Sequence, residues 1–318
     1  MSTAIVSQFA SDVANGLGCL DQKKLPASYL YDELGSALFE AITVLPEYGL
    51  TRADERLLAT YAPDIARLVG SVDSVSELGS GSGRKTRYLI EALRNRGAAF
   101  TYSPIDISRA ALTTCSKELA DLATVQPVCA DWMDGLRQVA ERRQGQAPLL
   151  LLFLGSSIGN LEPDSRGPFL REVRSYLREG DFLLLGADLV KDVDVMLTAY
   201  DDPTGVTAAF NLNLLGRMNR ELGASFDLRC FAHEVRWDAE NSRIEMHLLS
   251  RSNQRVYISA LESEFSFVAG ETIWTESSHK FTMDQLGKAA LSAGFSAISG
   301  WIDREWPFAE VLWKVSGK

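Results

Sequence analysis

The segment Val75-Ser76-Glu77-Leu78-Gly79-Ser80-Gly81-Ser82-Gly83 constrains this chain more than any other. A short apolar run ends in an acid, three glycines alternate with serines, and a helical pattern follows over 85–93. Glycine lets the backbone turn tightly and approach a ligand closely, and a helix start offers unpaired N–H groups. The segment therefore predicts strand, tight turn and helix, the opening of an α/β unit. Its E-x-G-x-G-x-G spacing departs from the G-x-G-x-x-G of dinucleotide folds. Further strand ends follow in order. Residues 102–107 read as a second strand carrying Asp106, roughly 20 residues beyond the turn, the separation at which an acid reaches ribose hydroxyls. Residues 125–129 read as a third, followed by Asp131 and Trp132, an acid and an aromatic suited to an adenine amino group and ring face. The apolar run 149–154 predicts a buried parallel strand, and it leads into Gly155-Ser156-Ser157-Ile158-Gly159-Asn160.

The alternating pattern continues through a strand at 182–189 and then changes. Before the turn, residues 6–21 predict an amphipathic helix, 26–46 carry Tyr29, Tyr31 and Phe39 at helical spacing, and Thr51 is a plausible N-cap for a helix over 53–68. After Asp192, residues 196–200 and 205–222 predict helices. Residues 231–237 and 243–250 predict antiparallel strands across the polar turn 238–241, and 254–260 and 264–268 read as two more strands. A helix over 283–293 and a strand pair at 296–303 and 309–315 close the chain. The expected architecture is α/β: a doubly wound, Rossmann-like sheet ending in an antiparallel hairpin, plus a second α+β domain. The sheet domain is expected over 55–192 and 282–318, and the second domain over 1–54 and 193–281.

The composition bears on partners. In 318 residues, 46% are hydrophobic and 23% charged, enough for a large core. The net charge of −10 argues against nucleic acid or an anionic membrane as substrate and favours a small molecule. Cys19, Cys115, Cys129 and Cys230 form no C-x-x-C pair and read as reduced thiols of a cytoplasmic protein, with Cys115 and Cys129 in the predicted core. No run approaches the ~20 apolar residues of a membrane span. His233, His247 and His279 lack metal-ligand spacing, so no metal is expected. A monomer is the expected state.

The glycine turn resembles that of class I methyltransferases that use S-adenosylmethionine (SAM). On that resemblance the candidate cofactor-binding residues are Glu77, Gly79, Gly81, Lys85, Asp106, Asp131 and Trp132, with Glu77 toward the methionine end and Asp106 toward the ribose. Longer segments narrow the family. These are 31–39 (Tyr-Asp-Glu-Leu-Gly-Ser-Ala-Leu-Phe), 45–48 (Leu-Pro-Glu-Tyr), 153–160, 186–192, 199–211 (from Ala-Tyr-Asp-Asp-Pro-Thr-Gly), 243–246 and 275–281 (Thr-Glu-Ser-Ser-His-Lys-Phe). Together they resemble the bacterial histidine Nα-methyltransferases of ergothioneine biosynthesis, over about 25–315. The resemblance implies three methyl transfers from SAM to the α-amine of L-histidine, giving hercynine. It implies that Tyr48, Asn160 and Tyr200 hold the carboxylate and amine, that Tyr31, Glu276 and Ser278 hold the imidazole, that Gly155 makes a backbone contact, and that Met246 walls the ring.

Residue chemistry bears on these roles separately. Tyrosine hydroxyls donate to a carboxylate, an Asn amide oxygen accepts from an amine, and a carboxylate with a hydroxyl matches the two nitrogens of an imidazole. The amine must lose a proton before it is methylated, and Tyr31, Tyr48 or Tyr200 could pass that proton to water. From chemistry alone each residue has a plainer reading: Tyr31 and Tyr48 as half-buried aromatics, Tyr200 as the cap of a surface loop, Asn160 as a turn residue, Glu276 as a solvated strand carboxylate, Glu77 as a strand end, and His279 as a structural or exposed side chain. Three other functions stay open on the sequence. They are the same fold acting on another amino acid or amine, a nicotinamide-dependent oxidoreductase, and a SAM-binding regulator without activity.

Overall fold

A computed structural model describes residues 3–97 and 99–316, with side chains from residue 8 onward. In chain order the elements are α1 (Thr3–Leu17), β1 (Lys23–Lys24), α2 (Glu33–Thr43), α3 (Gly49–Val69), β2 (Ser74–Leu78), α4 (Thr86–Asn95), β3 (Thr101–Asp106) and α5 (Arg109–Leu119). Then come β4 (Thr124–Val125), β5 (Val128–Cys129), α6 (Trp132–Arg142), β6 (Leu149–Phe153), α7 (Pro163–Tyr176), β7 (Phe182–Asp188), α8 (Val193–Tyr200) and α9 (Val206–Leu222). The last are β8 (Phe231–Asp238), β9 (Arg243–Ser250), β10 (Gln254–Ile258), β11 (Ser263–Phe267), β12 (Thr272–His279), α10 (Met283–Ser292), β13 (Phe295–Asp303) and β14 (Phe308–Val315).

Two compact units emerge. One comprises 49–190 with 279–318, the other 1–48 with 191–278. The first is built on one sheet in the order β13-β14-β7-β6-β2-β3-β4, with β5 also pairing β3. Strands β7, β6, β2, β3, β4 and β5 pair in parallel, while β14 runs antiparallel to both β7 and β13. The apolar run of β6 shows why it is central. Successive side chains of a strand point to opposite faces, so Leu151 and Phe153 join one core with Leu78, Ile105 and Leu185, while Leu150 and Leu152 join another with Val75, Tyr102 and Leu184. Helical residues close both cores: Leu136, Leu170 and Leu286 the first, Leu58, Leu89 and Leu119 the second.

The second unit is α+β. A four-stranded sheet in the order β1-β12-β9-β8 and a separate ribbon of β10 and β11 accompany α1, α2, α8 and α9. The β8–β9 hairpin pairs from Phe231 with Ser250 to Asp238 with Arg243, so the polar turn at 238–241 falls where the sequence suggests.

Four expectations change. Thr51 is not an N-cap: α3 already begins at Gly49, and Leu50, Ala53, Leu57 and Leu58 are buried along it. A boundary at 54/55 would cut this helix, and the units divide at 48/49 instead. The third strand is two short pieces, because Pro127 between them has no N–H to give the ladder. Cys129 is exposed, whereas Cys115 is buried.

Candidate active site

In the sheet unit the glycine turn takes the shape its sequence demands. Gly79, Gly81 and Gly83 have φ of 70°, 52° and 74°, values that side-chain-bearing residues rarely adopt. A Cβ at Gly79 would lie 3.3 Å from Trp132 Nε1, while a Cβ at Gly81 would meet nothing within 4 Å. The turn is thus closed by an indole at one glycine and open at another.

Asp106, at the end of β3, ties the turn down. Its Oδ2 accepts from the Gly81 N–H at 3.1 Å and its Oδ1 from the Ser108 N–H at 2.8 Å. Burial pushes its pKa up, against those backbone bonds. Each carboxylate oxygen has two lone pairs, so acceptor capacity remains for ribose hydroxyls. Asp131 caps α6: Oδ1 accepts from the N–H groups of Met133 and Asp134 at 3.0 and 2.9 Å. Trp132 opens that helix and packs edge-on against Phe153 and Phe169, with centroids 4.9 and 5.8 Å apart.

Glu77 differs from the expected contact. Its side chain is 1% exposed and accepts from Thr86 Oγ1 at 2.8 and 3.0 Å and from the Tyr102 hydroxyl at 2.5 Å. The carboxylate braces the underside of the turn through these two hydroxyls. Burial pushes its pKa up to about 7, against the pull of Tyr102, Lys85 and Thr86.

Lys85 belongs to a cluster that the sequence did not reveal. Its ammonium pairs with Asp54, a fully buried carboxylate on α3. Asp54 Oδ2 also accepts from the Gly155 N–H at 2.9 Å. Gly155 has φ of 70°, and a Cβ there would lie 3.0 Å from the Lys85 ammonium. Only glycine suits both the turn and the approach of Lys85. Glu310 of β14, 1% exposed, completes the group; burial pushes its pKa well up and the Asp54 carboxylate adds to the shift. Asp54 Oδ1 and both Glu310 oxygens receive no donor from another group. A protonated Glu310 is the form that burial and the neighbouring Asp54 carboxylate both favour. A signal existed: an acid on the apolar face of a helix, and another in the apolar strand Phe-Ala-Glu-Val-Leu-Trp.

The loop after β6 carries the other residues placed in this unit. Ser156 has φ of 60°, and its hydroxyl accepts from the Asp188 N–H at 2.9 Å. Half-buried Asn160 ends a 3-10 turn over Ser157–Asn160. Gly159 lies under the backbone of His279, where a Cβ would come within 2.9 Å of the carbonyl oxygen. His279 itself is buried, with Nε2 3.8 Å from Glu162, so the structural reading holds and the exposed one does not.

In the second unit Tyr48 and Tyr200 are 6% and 7% exposed, and their rings meet edge-to-face at 5.9 Å. The Tyr200 hydroxyl lies 2.7 Å from Ser278 Oγ. Three of the expected substrate contacts are therefore neighbours. Tyr31 packs edge-to-face with Phe39 and Phe210, each at 5.4 Å. Glu276 and Met246 are buried on β12 and β9. Trp274 Nε1 donates to the Glu276 carbonyl at 3.0 Å, and the Met246 carbonyl lies 2.9 Å from the Thr275 hydroxyl.

The family model described as histidine-specific, SAM-dependent methyltransferase matches residues 9–315. The histidine N-alpha-methyltransferase of Mycobacterium tuberculosis is 42% identical over 301 residues, 93% of this chain and 92% of that protein. Its namesake in Mycolicibacterium smegmatis is 40% identical over 297 residues, 92% of this chain and 90% of that protein. Ergothioneine biosynthesis protein 1 of Neurospora crassa is 30% identical over 88% of this chain and 32% of that longer protein. With its glycine turn, doubly wound sheet and match across nearly its whole length, the chain belongs to the histidine-specific, SAM-dependent methyltransferases.

Proposed function

We propose that this protein methylates the α-amine of L-histidine three times, yielding hercynine, in the biosynthesis of ergothioneine. Family membership and the two mycobacterial relatives support the reaction, and the fungal relative supports the pathway. One observation supports the substrate most directly. The second unit buries a carboxylate, Glu276, on the same strand as Ser278, whose hydroxyl meets that of Tyr200. A carboxylate and hydroxyls of this kind match the two nitrogens of an imidazole and the polar end of an amino acid.

SAM supplies an electrophilic methyl group when bound. The residues of the sheet unit fit it. The turn is open at Gly81, Asp106 has lone pairs for the ribose, Asp131 has a second oxygen for an adenine amine, and the Lys85 ammonium can face the methionine carboxylate. Glu77 acts by holding the turn's shape.

For histidine, Tyr48 and Tyr200 suit the carboxylate and amine, and Glu276, Ser278 and Tyr31 suit the imidazole, with Met246 as an apolar wall. The resemblance gives Gly155 and Asn160 a part in holding the amino group. A free α-ammonium titrates near ~8, and desolvation lowers that value. Tyr48 or Tyr200 can then pass the released proton to water. Nothing here requires either hydroxyl to ionise.

Incubation with SAM and each of the twenty amino acids, followed by mass measurement, tests the reading. Histidine should gain three methyl groups and a histidine analogue lacking the α-amine none. Ring-methylated histidine, or a monomethyl product that persists with excess SAM, would overturn it.

A further inference from the structure

His233, which has no metal-ligand spacing, occupies the centre of a hydrogen-bonded chain. Tyr200 is the last residue of α8, and the last carbonyls of a helix have no partner within it. His233 Nε2 lies 2.8 Å from the Tyr200 carbonyl. On the other side of the ring, Nδ1 lies 2.9 Å from Asn211 Nδ2 of α9. The second hydrogen of that amide goes to the His247 carbonyl of β9 at 3.0 Å. Asn211 Oδ1 lies 2.7 Å from the Thr275 hydroxyl of β12, which also approaches the Met246 carbonyl at 2.9 Å.

These contacts fix the protons of Asn211 and His233. Turned the other way, the Asn211 amide would set its oxygen against the His247 carbonyl, acceptor on acceptor. Asn211 Nδ2 therefore donates to Nδ1, Nδ1 is bare, and Nε2 carries the hydrogen that reaches Tyr200. Protonating Nδ1 would point one donor at another. The charges that face the ring are Asp201 and Asp202, from the segment after α8; its other polar partners, Asn211 and the Tyr200 carbonyl, are neutral. Burial pushes the His233 pKa down and prevails over the opposing pull of the Tyr200 carbonyl and the two carboxylates.

The network joins the segments that carry three residues assigned to the substrate: Tyr200 directly, Met246 through its own carbonyl, and Glu276 through its neighbour Thr275. We propose that His233, held as one neutral tautomer by Asn211, is a positioning residue that sets Tyr200 for histidine binding. The proposal rests on the reading of Tyr200 as a substrate contact.

Nitrogen NMR of the histidine rings reads the tautomer without substrate. His233 is expected as the neutral Nε2–H form near pH 7; an Nδ1–H or doubly protonated ring overturns the proposal. Kinetics read the consequence. His233→Leu removes both polar atoms and should raise KM for histidine about tenfold, while the dissociation constant for SAM moves less than about twofold. Equal losses in both would mean general damage and reject positioning. His233→Gln can donate and accept but does not titrate. It should return KM to within about threefold of wild type and remove part of the acid-side rise in KM. The substrate's own titration is common to both proteins, so their difference isolates His233, and identical acid limbs count against it. Should His233→Leu not fold, Thr275→Val deletes only the hydroxyl behind Asn211. An increase in KM of about threefold with unchanged SAM affinity is expected, and no increase rejects the network. Tyr200→Phe separates the two failures. If it leaves KM unchanged, the reading of the site is wrong whatever the tautomer; if it raises KM and His233→Leu does not, the positioning role is wrong.

Discussion

Each unit buries a polar network, and the two networks differ in charge, although the second unit also buries the carboxylates of Asp202 and Glu276. The interior of the sheet unit is ionic: Asp54, Glu77, Lys85 and Glu310 cluster near the glycine turn, Arg143 pairs with Asp181, and Lys280 pairs with Asp188. The interior network of the second unit is neutral: Asn211, His233, Thr275, Tyr200 and Ser278 share hydrogen bonds without a formal charge among them. Charges act over distance and respond to pH, which suits a zwitterionic, sulfonium-bearing cofactor. Neutral hydrogen bonds act over one contact and depend on angle, which suits recognition of a small ring and its amino-acid end. The comparison teaches that buried polar groups can serve attraction in one place and shape in another.

The largest test of the difference is Lys280→Met. Lys280 and Asp188 are 2.9 Å apart with side chains 0% and 1% exposed. Removing one partner of such a pair leaves a buried charge, at a cost of about 3–5 kcal/mol. Urea unfolding should show that loss, and a change under about 1 kcal/mol would mean that the ion pair is not what holds this interior together.

Next is Glu77→Gln, read as stability against pH. The folded pKa of Glu77 is about 7 against an ordinary value of 4.5. A raised folded value means that this carboxyl's contribution is whole below the unfolded pKa and is lost as pH rises through the folded one. Wild type should therefore lose about 3 kcal/mol from this group between about pH 4.5 and pH 7. The Gln variant should show a flatter profile over that window. Parallel profiles would remove Glu77 from the titrating cluster.

The smallest effect belongs to the neutral network. Tyr200→Phe removes the hydroxyl that meets Ser278, worth about 1 kcal/mol of stability. That loss should be the same at pH 6 and pH 8, with histidine affinity reduced and calorimetric SAM affinity unchanged. A pH-dependent loss would blur the contrast between the units.

The same contrast explains what could be read from the sequence. The glycine turn, the strand ends at Asp106 and Asp131, the β8–β9 hairpin and the final strand pair all follow from local patterns, and each has a local cause. The plainer reading of Glu276 as a strand carboxylate holds for the strand but not for its solvation, because β12 is buried at nearly every position and so lacks the alternation that marks a half-buried strand. Asp54 and Glu310 were missed because their meaning depends on each other, across more than 250 residues of chain. His233 and Asn211 were missed for the same reason: a histidine with no metal spacing and an asparagine inside a helix signal nothing until the fold joins them.

The ends of the large sheet carry a consequence for association. A long, straight outer strand invites pairing with another chain, and natural proteins blunt such edges. Here one side ends in β4 and β5, two residues each, with Pro127 between them; the other ends in β13, whose pairing slips between Ala297 and Ser299. Neither border offers a long regular run of free amide and carbonyl groups. At its two borders the eight-stranded sheet is thus poorly shaped for adding a strand from another copy.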